Sequence, residues 1–216
     1  MESSRTWALH GAVGMAEDWT PWADEGVVGV DLWQVLADGG DSLEKAAELV
    51  AERAQDGDFL VGYSMGGRIA LQALELRDWG GVSVISAHPG LETEEEKQAR
   101  LAHDGRWAKK AERGDWGDFL RDWNAQAVLD PVEGWGDRAL LEERRELVAR
   151  SFRCWSLGRQ KRTFLPDRQG GIWEKVRWFV GERDEKFCRL APCWAKKVPR
   201  AGHRVPWEVA RGEVGW

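Results

Sequence analysis

Nowhere among the 216 residues does an apolar run approach the ~18 positions needed to cross a bilayer. The opening "MESSRTWALHG" also lacks the basic head and long apolar stretch of a secretory signal. Neither membrane insertion nor export by such a signal is expected. Cysteine is scarce: Cys154, Cys188 and Cys193 form no C-x-x-C pair, and an odd number cannot be fully bridged within one chain. They read as reduced thiols, which fits the cytoplasm. The 4 histidines have neither H-x-x-x-H nor H-E-x-x-H spacing, and no Cys/His cluster exists, so no metal site is expected. Positive charge is in deficit, with 31 Lys+Arg against 37 Asp+Glu and a net charge of -6. Without a basic stripe, nucleic acid is not an expected partner. Tyrosine occurs once against 15 tryptophans, which share no spacing and are read as packing residues.

Short apolar runs recur at 6–9 ("TWAL"), 26–32 ("GVVGVDL"), 58–62 ("DFLVG"), 81–86 ("GVSVIS"), 176–181 ("VRWFVG") and, most weakly, 195–202 ("AKKVPRAG"). Most are continuous rather than alternating, as strands buried on both faces should be. Between the second and third, "DSLEKAAELVAERAQDG" carries Leu43, Ala46, Ala47, Leu49, Val50 and Ala54 at helical spacing, with Asp41 or Ser42 as its cap. This alternation predicts an α/β fold: a mostly parallel sheet of about six strands with helices on both faces. From 91 to 162 the rhythm breaks into a charged, Trp-bearing stretch with helical patterns and no strand candidate. It is predicted to be an inserted helical lid on a core formed by 1–90 and 163–216.

The chemistry centres on Gly62-Tyr63-Ser64-Met65-Gly66, a G-x-S-x-G between a predicted strand and the helical "GGRIALQALEL". A serine on so tight a strand-to-helix turn is strained, and small flanking residues let strand and helix pass closely. The turn lifts the hydroxyl above the carboxyl end of the sheet and brings the Met65 N–H and the helix terminus to the same point. A serine hydroxyl is inert until a histidine takes its proton and a carboxylate orients that histidine. His203, in "RAGHRVPWE", follows the last predicted strand, and Asp184, in "GERDEKF", follows the strand before it. Ser64, Asp184 and His203 therefore occur in the order this architecture requires. The turn "HGAVG" after the first strand offers a second oxyanion donor, Ala12 first and Val13 second, with His10 as a structural residue of that turn. His88 and His103 are expected to lack a catalytic role. The glycines around Ser64 lack the Lys-Ser/Thr of a phosphate-binding loop, and no cofactor is expected.

Together these pieces resemble the α/β-hydrolase superfamily across almost the entire chain. A narrower resemblance rests on "GYSMGGRIA", "SAHPGLETEEEKQAR", "WNAQ", "RRELVAR", "GERDEKF" and "RAGH", which in this order look like the 2-succinyl-6-hydroxy-2,4-cyclohexadiene-1-carboxylate synthase (MenH) family of menaquinone biosynthesis. That resemblance implies a cofactor-free lyase that eliminates pyruvate from a small anionic carboxylate substrate, with Ser64 acting as base and Ala12 and Met65 holding the oxyanion. It further implies carboxylate binding by Arg68, Arg100 and Arg150, and pocket aromatics at Tyr63 and Trp123. Arg68 follows Ser64 by one helical turn, so it should look toward the site mouth. The rival reading is a carboxylester or thioester hydrolase in which Ser64 is a true nucleophile.

Overall fold

The computed structural model describes residues 4–129, 137–167 and 170–210; the remainder of the expected core and lid, including 130–136, lies outside the described residues. The chain runs β1 (Thr6–Leu9), a 3-10 helix (Ala16–Glu25), β2 (Val27–Val30), α1 (Leu32–Ala37), α2 (Leu43–Ala51), β3 (Phe59–Tyr63), α3 (Met65–Ala73) and β4 (Gly81–Ile85). Next come α4 (Glu94–Arg113), α5 (Trp116–Asn124), a 3-10 helix (Arg138–Arg144), α6 (Arg145–Cys154) and two 3-10 turns (Leu157–Arg159 and Gly171–Lys175). The chain then returns to the sheet with β5 (Val176–Gly181), α7 (Glu185–Leu190), β6 (Lys196–Val198) and α8 (Val205–Glu208).

The strands form one six-stranded sheet in the order β2-β1-β3-β4-β5-β6, and all five described pairings are parallel. Parallel strands must be buried on both faces, which explains the continuous apolar runs. Successive residues go to opposite cores: Leu9, Leu60, Val84 and Trp178 join the one under α2 and α3, while Ala8, Val61, Ile85 and Phe179 join the other. That second face is closed by the Ala16–Glu25 turn and α8, whose Trp19, Trp22 and Trp207 pack in tilted and edge-to-face contacts with ring centroids 5.5 to 6.3 Å apart. Because every strand points the same way, the loops after β1, β3, β5 and β6 emerge at one edge. There the sequence order of neighbouring strands reverses between β1 and β3, the usual position of a site in such sheets.

Three boundaries differ from the sequence reading: β6 keeps only Lys196–Val198 of the run 195–202, and the other two differ for local reasons. The apolar run 26–32 stops being a strand at Val30, because the Asp31 carboxylate accepts the Trp33 and Gln34 amides at 3.0 and 3.1 Å and starts α1. Helix α2 is capped by Ser42, whose hydroxyl accepts the Lys45 N–H at 3.1 Å, and it ends at Ala51, short of Ala54. Between β4 and β5 the described residues are helical or irregular, and α4 packs along α6. Among the described residues no helix is long and apolar enough to cross a membrane.

Candidate active site

Position 64 is the hinge of the site. Ser64 has φ 51° and ψ −107°, a left-handed conformation in which a residue with a Cβ is strained by about 1–3 kcal/mol. The surroundings over-determine it. The Ser64 N–H donates to Ile85 O at 2.8 Å and the Gly66 N–H to His10 O at 3.1 Å. A Cβ on Gly66 would fall 2.6 Å from the Leu9 carbonyl carbon, and one on Gly62 2.7 Å from the Gly67 Cα, so β1, β3 and α3 approach as closely as they do only because these positions are glycine.

The hydroxyl raised by this turn meets the predicted partners. His203 Nε2 lies 3.1 Å from Ser64 Oγ, and His203 Nδ1 lies 2.6 Å from Asp184 Oδ2. The other Asp184 oxygen accepts the Phe187 N–H at 3.2 Å, so the carboxylate both caps α7 and faces the imidazole. With Nδ1–H given to Asp184, Nε2 is left as the acceptor for the serine proton. The histidine loop is clamped by Glu208, which accepts the Gly202 and Arg204 amides on either side of His203. The Phe187 ring packs 4.4 Å from the imidazole.

At the end of β1, His10 is fully buried and neutral: Nδ1–H donates to Gly11 O at 2.8 Å, Nε2 accepts the Leu32 N–H at 3.2 Å, and burial lowers its pKa. It ties the turn after β1 to the start of α1. The turn itself closes with the Gly14 N–H on Gly11 O at 3.0 Å, and Val13 takes φ 56°. Ala12 and Met65 both line the cavity beside Ser64.

The cavity of about 390 Å³ lies between this edge of the sheet and the helices that follow β4. Of the predicted binding residues, Arg68, Arg100 and Trp123 line it. Arg68 is buried, giving Nη2–H to Trp155 O at 2.8 Å and Nη1–H to Gln160 Oε1 at 3.4 Å; burial, then the charge of Arg100, pulls its pKa down to about 9. Arg100 donates Nε–H to the buried Asp104 at 2.7 Å.

Two of the expected binding residues lie outside the lining of this cavity. Tyr63 does not line the cavity: one residue before Ser64 on a strand, it points to the opposite face, where it packs 5.6 Å from the His203 ring and 5.0 Å from Trp207. Its ring also fills the space a Cβ on Gly11 would occupy. Arg150 does not line the cavity either, because α6 turns Val148, Ala149 and Phe152 inward and position 150 lies across the helix from Phe152.

Sequence reasoning missed Lys186, His88, His103, Gln126 and Leu157, which also line the cavity. The signal for Lys186 was its place in the first turn of a helix capped by Asp184. Lys186 has no ion pair among the described residues, and partial desolvation of its ammonium, followed by the charge of Arg100, lowers its pKa. For His88 the pKa falls to about 4, through burial first and the neighbouring cations Lys186, Arg68 and Arg100 next. Its Nδ1 accepts the Gly90 N–H at 3.1 Å, so the proton sits on Nε2.

A depressed histidine pKa has a stability consequence of definite sign. Below the ordinary value of 6.5 the unfolded chain takes up a proton that folded His88 refuses until about 4, so stability is lost as pH falls across that window. The slope is at most about 1.4 kcal/mol per pH unit for each such residue, and His10 acts in the same direction. In urea titrations at neutral pH and near about pH 4.5, His88→Asn should lose less stability than the wild type. An unchanged loss would remove His88 from the acid response.

Against curated proteins, the chain is 32% identical to 2-succinyl-6-hydroxy-2,4-cyclohexadiene-1-carboxylate synthase of Pectobacterium atrosepticum, over 91% of this chain and 85% of that protein. It is 31% identical to the same-named protein of a strain of Escherichia coli, over 95% of this chain and 89% of that one. Among solved structures it is similar to MenH from S. aureus, with TM-score 0.70, 18% identity and coverage of 96% and 90% of the two chains. A thermophilic esterase from Thermogutta terrifontis gives TM-score 0.62, 18% identity and coverage of 95% and 85%. At such identities these structures speak for the fold, an α/β-hydrolase sheet, and not for the reaction. No protein-family model matches the chain.

Proposed function

Because the chain belongs to the 2-succinyl-6-hydroxy-2,4-cyclohexadiene-1-carboxylate synthase family of menaquinone biosynthesis, we propose that it is a cofactor-free carbon–oxygen lyase acting on 2-succinyl-5-enolpyruvyl-6-hydroxy-3-cyclohexene-1-carboxylate. The observation that carries the reading is the cationic cavity beside the Ser64–His203–Asp184 chain. Arg68, Arg100 and Lys186 line it, and no carboxylate does among the described residues. A positive surplus in a partly desolvated cleft suits a ligand with several carboxylates, and this substrate carries one on the ring, one on the succinyl arm and one on the enolpyruvyl group.

Ser64 Oγ passes its proton to His203 Nε2 as it removes the ring proton beside the succinyl carbonyl, so the serine acts as a base and forms no bond to carbon. Asp184 stabilises the imidazolium that results. Electron density moves onto the carbonyl oxygen, which the Met65 and Ala12 amides receive at the positive end of α3. Collapse of that enolate restores the carbonyl, forms the ring diene and breaks the C–O bond to the enolpyruvyl group. The departing enolpyruvate takes up one proton at its methylene carbon and becomes pyruvate, which balances the proton that His203 Nε2 then gives up to return to its starting state. Water adds to nothing, and the guanidinium groups hold carboxylates bidentately while the ring changes shape. Localisation in the cytoplasm, with no nucleic-acid or membrane partner, remains part of this proposal. The helices over the cavity act as its lid.

The test is direct. Purified protein mixed with the cyclohexene precursor should release pyruvate, read by coupling to lactate dehydrogenase, and should turn over nitrophenyl esters little. Efficient ester cleavage without pyruvate would overturn the lyase in favour of a hydrolase.

A further inference from the structure

Arg68 and Arg100 come from different parts of the chain, one from the helix after the serine turn and one from α4, yet both are held by the same six-residue stretch. Arg68 Nη2 donates to Trp155 O at 2.8 Å and Nη1 to Gln160 Oε1 at 3.4 Å. Arg100 is reached through one intermediary: its Nε donates to Asp104 Oδ1 at 2.7 Å, and Asp104 Oδ2 accepts the Ser156 hydroxyl at 2.7 Å.

The stretch is pinned to the rest of the molecule at both ends and in the middle. Trp155 Nε1 donates to Gly40 O at 2.8 Å, and Gln160 Nε2 donates to His88 O at 3.0 Å. At the centre, a Cβ on Gly158 would stand 2.5 Å from Lys97 O and 2.8 Å from the Leu101 side chain, so the stretch lies directly on the α4 backbone. Trp155, Ser156, Leu157 and Gln160 are 1 to 3% exposed, which excludes the water that would otherwise compete for these bonds.

Asp104 is not explained by helix stability. An arginine one turn before an acid is the less favoured order for a helical pair, and the side chain of Asp104 is only 3% exposed. Burying a carboxylate is unfavourable unless its oxygens are satisfied, and here both are, by Arg100 and Ser156, with His103 Nδ1 also 3.3 Å from Oδ1. By taking Nε–H, Asp104 fixes the plane of the Arg100 guanidinium and leaves its two terminal nitrogens for a ligand.

We propose that Trp155–Gln160 is a shared mount that sets the spacing and orientation of the two cavity arginines, with Asp104 and Ser156 as positioning residues for Arg100. This rests on the reading of Arg68 and Arg100 as carboxylate-binding groups. Electrostatics alone predicts the opposite sign of effect: removing the negative charge beneath Arg100 would make the cavity more positive and tighten a polyanionic ligand. Positioning predicts that the ligand binds less well.

The experiment compares wild type, Asp104→Asn, Ser156→Ala and Ser156→Thr. In pyruvate release, Asp104→Asn should raise KM about 10-fold or more with kcat changed less than about 3-fold, because a ground-state anchor is loosened while the triad is untouched. Ser156→Ala should move KM the same way by a smaller factor, and Ser156→Thr, which keeps the hydroxyl, should restore it. A second readout does not depend on the lyase reading. Covalent labelling of Ser64 by a carboxylate-bearing fluorophosphonate should slow about 10-fold in Asp104→Asn, while labelling by a neutral one stays within about 2-fold. If Asp104→Asn does not fold, the Ser156 pair gives the same comparison. A lowered or unchanged KM, or equal slowing of both labels, would overturn the proposal. Wild type that labels normally but releases no pyruvate would overturn the lyase assignment alone.

Discussion

Ser64→Ala should reduce pyruvate release by about 10³- to 10⁴-fold while leaving the fold intact. Alanine has the same left-handed penalty at φ 51° as serine, so the strain of the turn is unchanged. The variant loses only the 3.1 Å contact to His203, worth about 1 kcal/mol in a partly exposed position. Its urea midpoint should therefore stay close to that of the wild type, and labelling by a fluorophosphonate should disappear. Asp184→Asn should fall by a comparable factor for a different reason. An asparagine that still accepts the Phe187 N–H turns its amide N–H toward His203 Nδ1, which favours the tautomer protonated on Nε2. The imidazole would then offer Ser64 a donor where an acceptor is needed. Ser64→Ala retaining more than about a tenth of the pyruvate release would remove the serine from the proton transfer.

Much of this geometry is local, and that is why it could be read from the chain. Strands buried on both faces announce themselves as continuous apolar runs: five appear within a residue or two of 6–9, 26–32, 58–62, 81–86 and 176–181, while β6 keeps only Lys196–Val198 of the weak run 195–202. The serine turn is equally legible, because Gly62 and Gly66 are fixed by contacts within the strand–turn–helix unit and with the adjoining β1. Order along the chain then selected Asp184 and His203, since parallel strands deliver successive loops to one edge.

What escaped reading depends on which elements meet. Periodicity marks one face of α6 as inward but says nothing about whether the cavity lies on that side, and Arg150 does not line it. The family resemblance places Tyr63 among the pocket aromatics, whereas strand alternation sends it away from Ser64. The tryptophans of the Ala16–Glu25 turn carry no strand or helix pattern, with Pro21 in their midst, yet they close a whole face of the sheet. The support of Arg68 by Trp155 and Gln160 spans 87 and 92 residues of sequence, and no local pattern records contacts of that range.

The same long-range support makes Arg68→Ala the second decisive variant. It should lower kcat/KM for pyruvate release by roughly 10²- to 10³-fold, equivalent to about 3–4 kcal/mol for a lost bidentate, charge-assisted contact in a cleft shielded from water. Stability should change far less. Substitution leaves the Trp155 carbonyl and Gln160 Oε1 without their donor, which destabilises the fold, but it also removes a buried guanidinium that has no carboxylate within ion-pair distance among the described residues. These two contributions oppose one another. On the proposed function an anionic ligand supplies the missing counter-charge, and the arginine should contribute most when substrate is bound and little to the empty fold. Arg68→Lys should recover only part of the loss, because an ammonium keeps the charge without the planar pair of donors. Labelling of Ser64 by a neutral fluorophosphonate separates the causes. An undiminished rate alongside the fall in pyruvate release assigns Arg68 to the anion, whereas equal losses in both would mean that the serine turn itself had been disturbed.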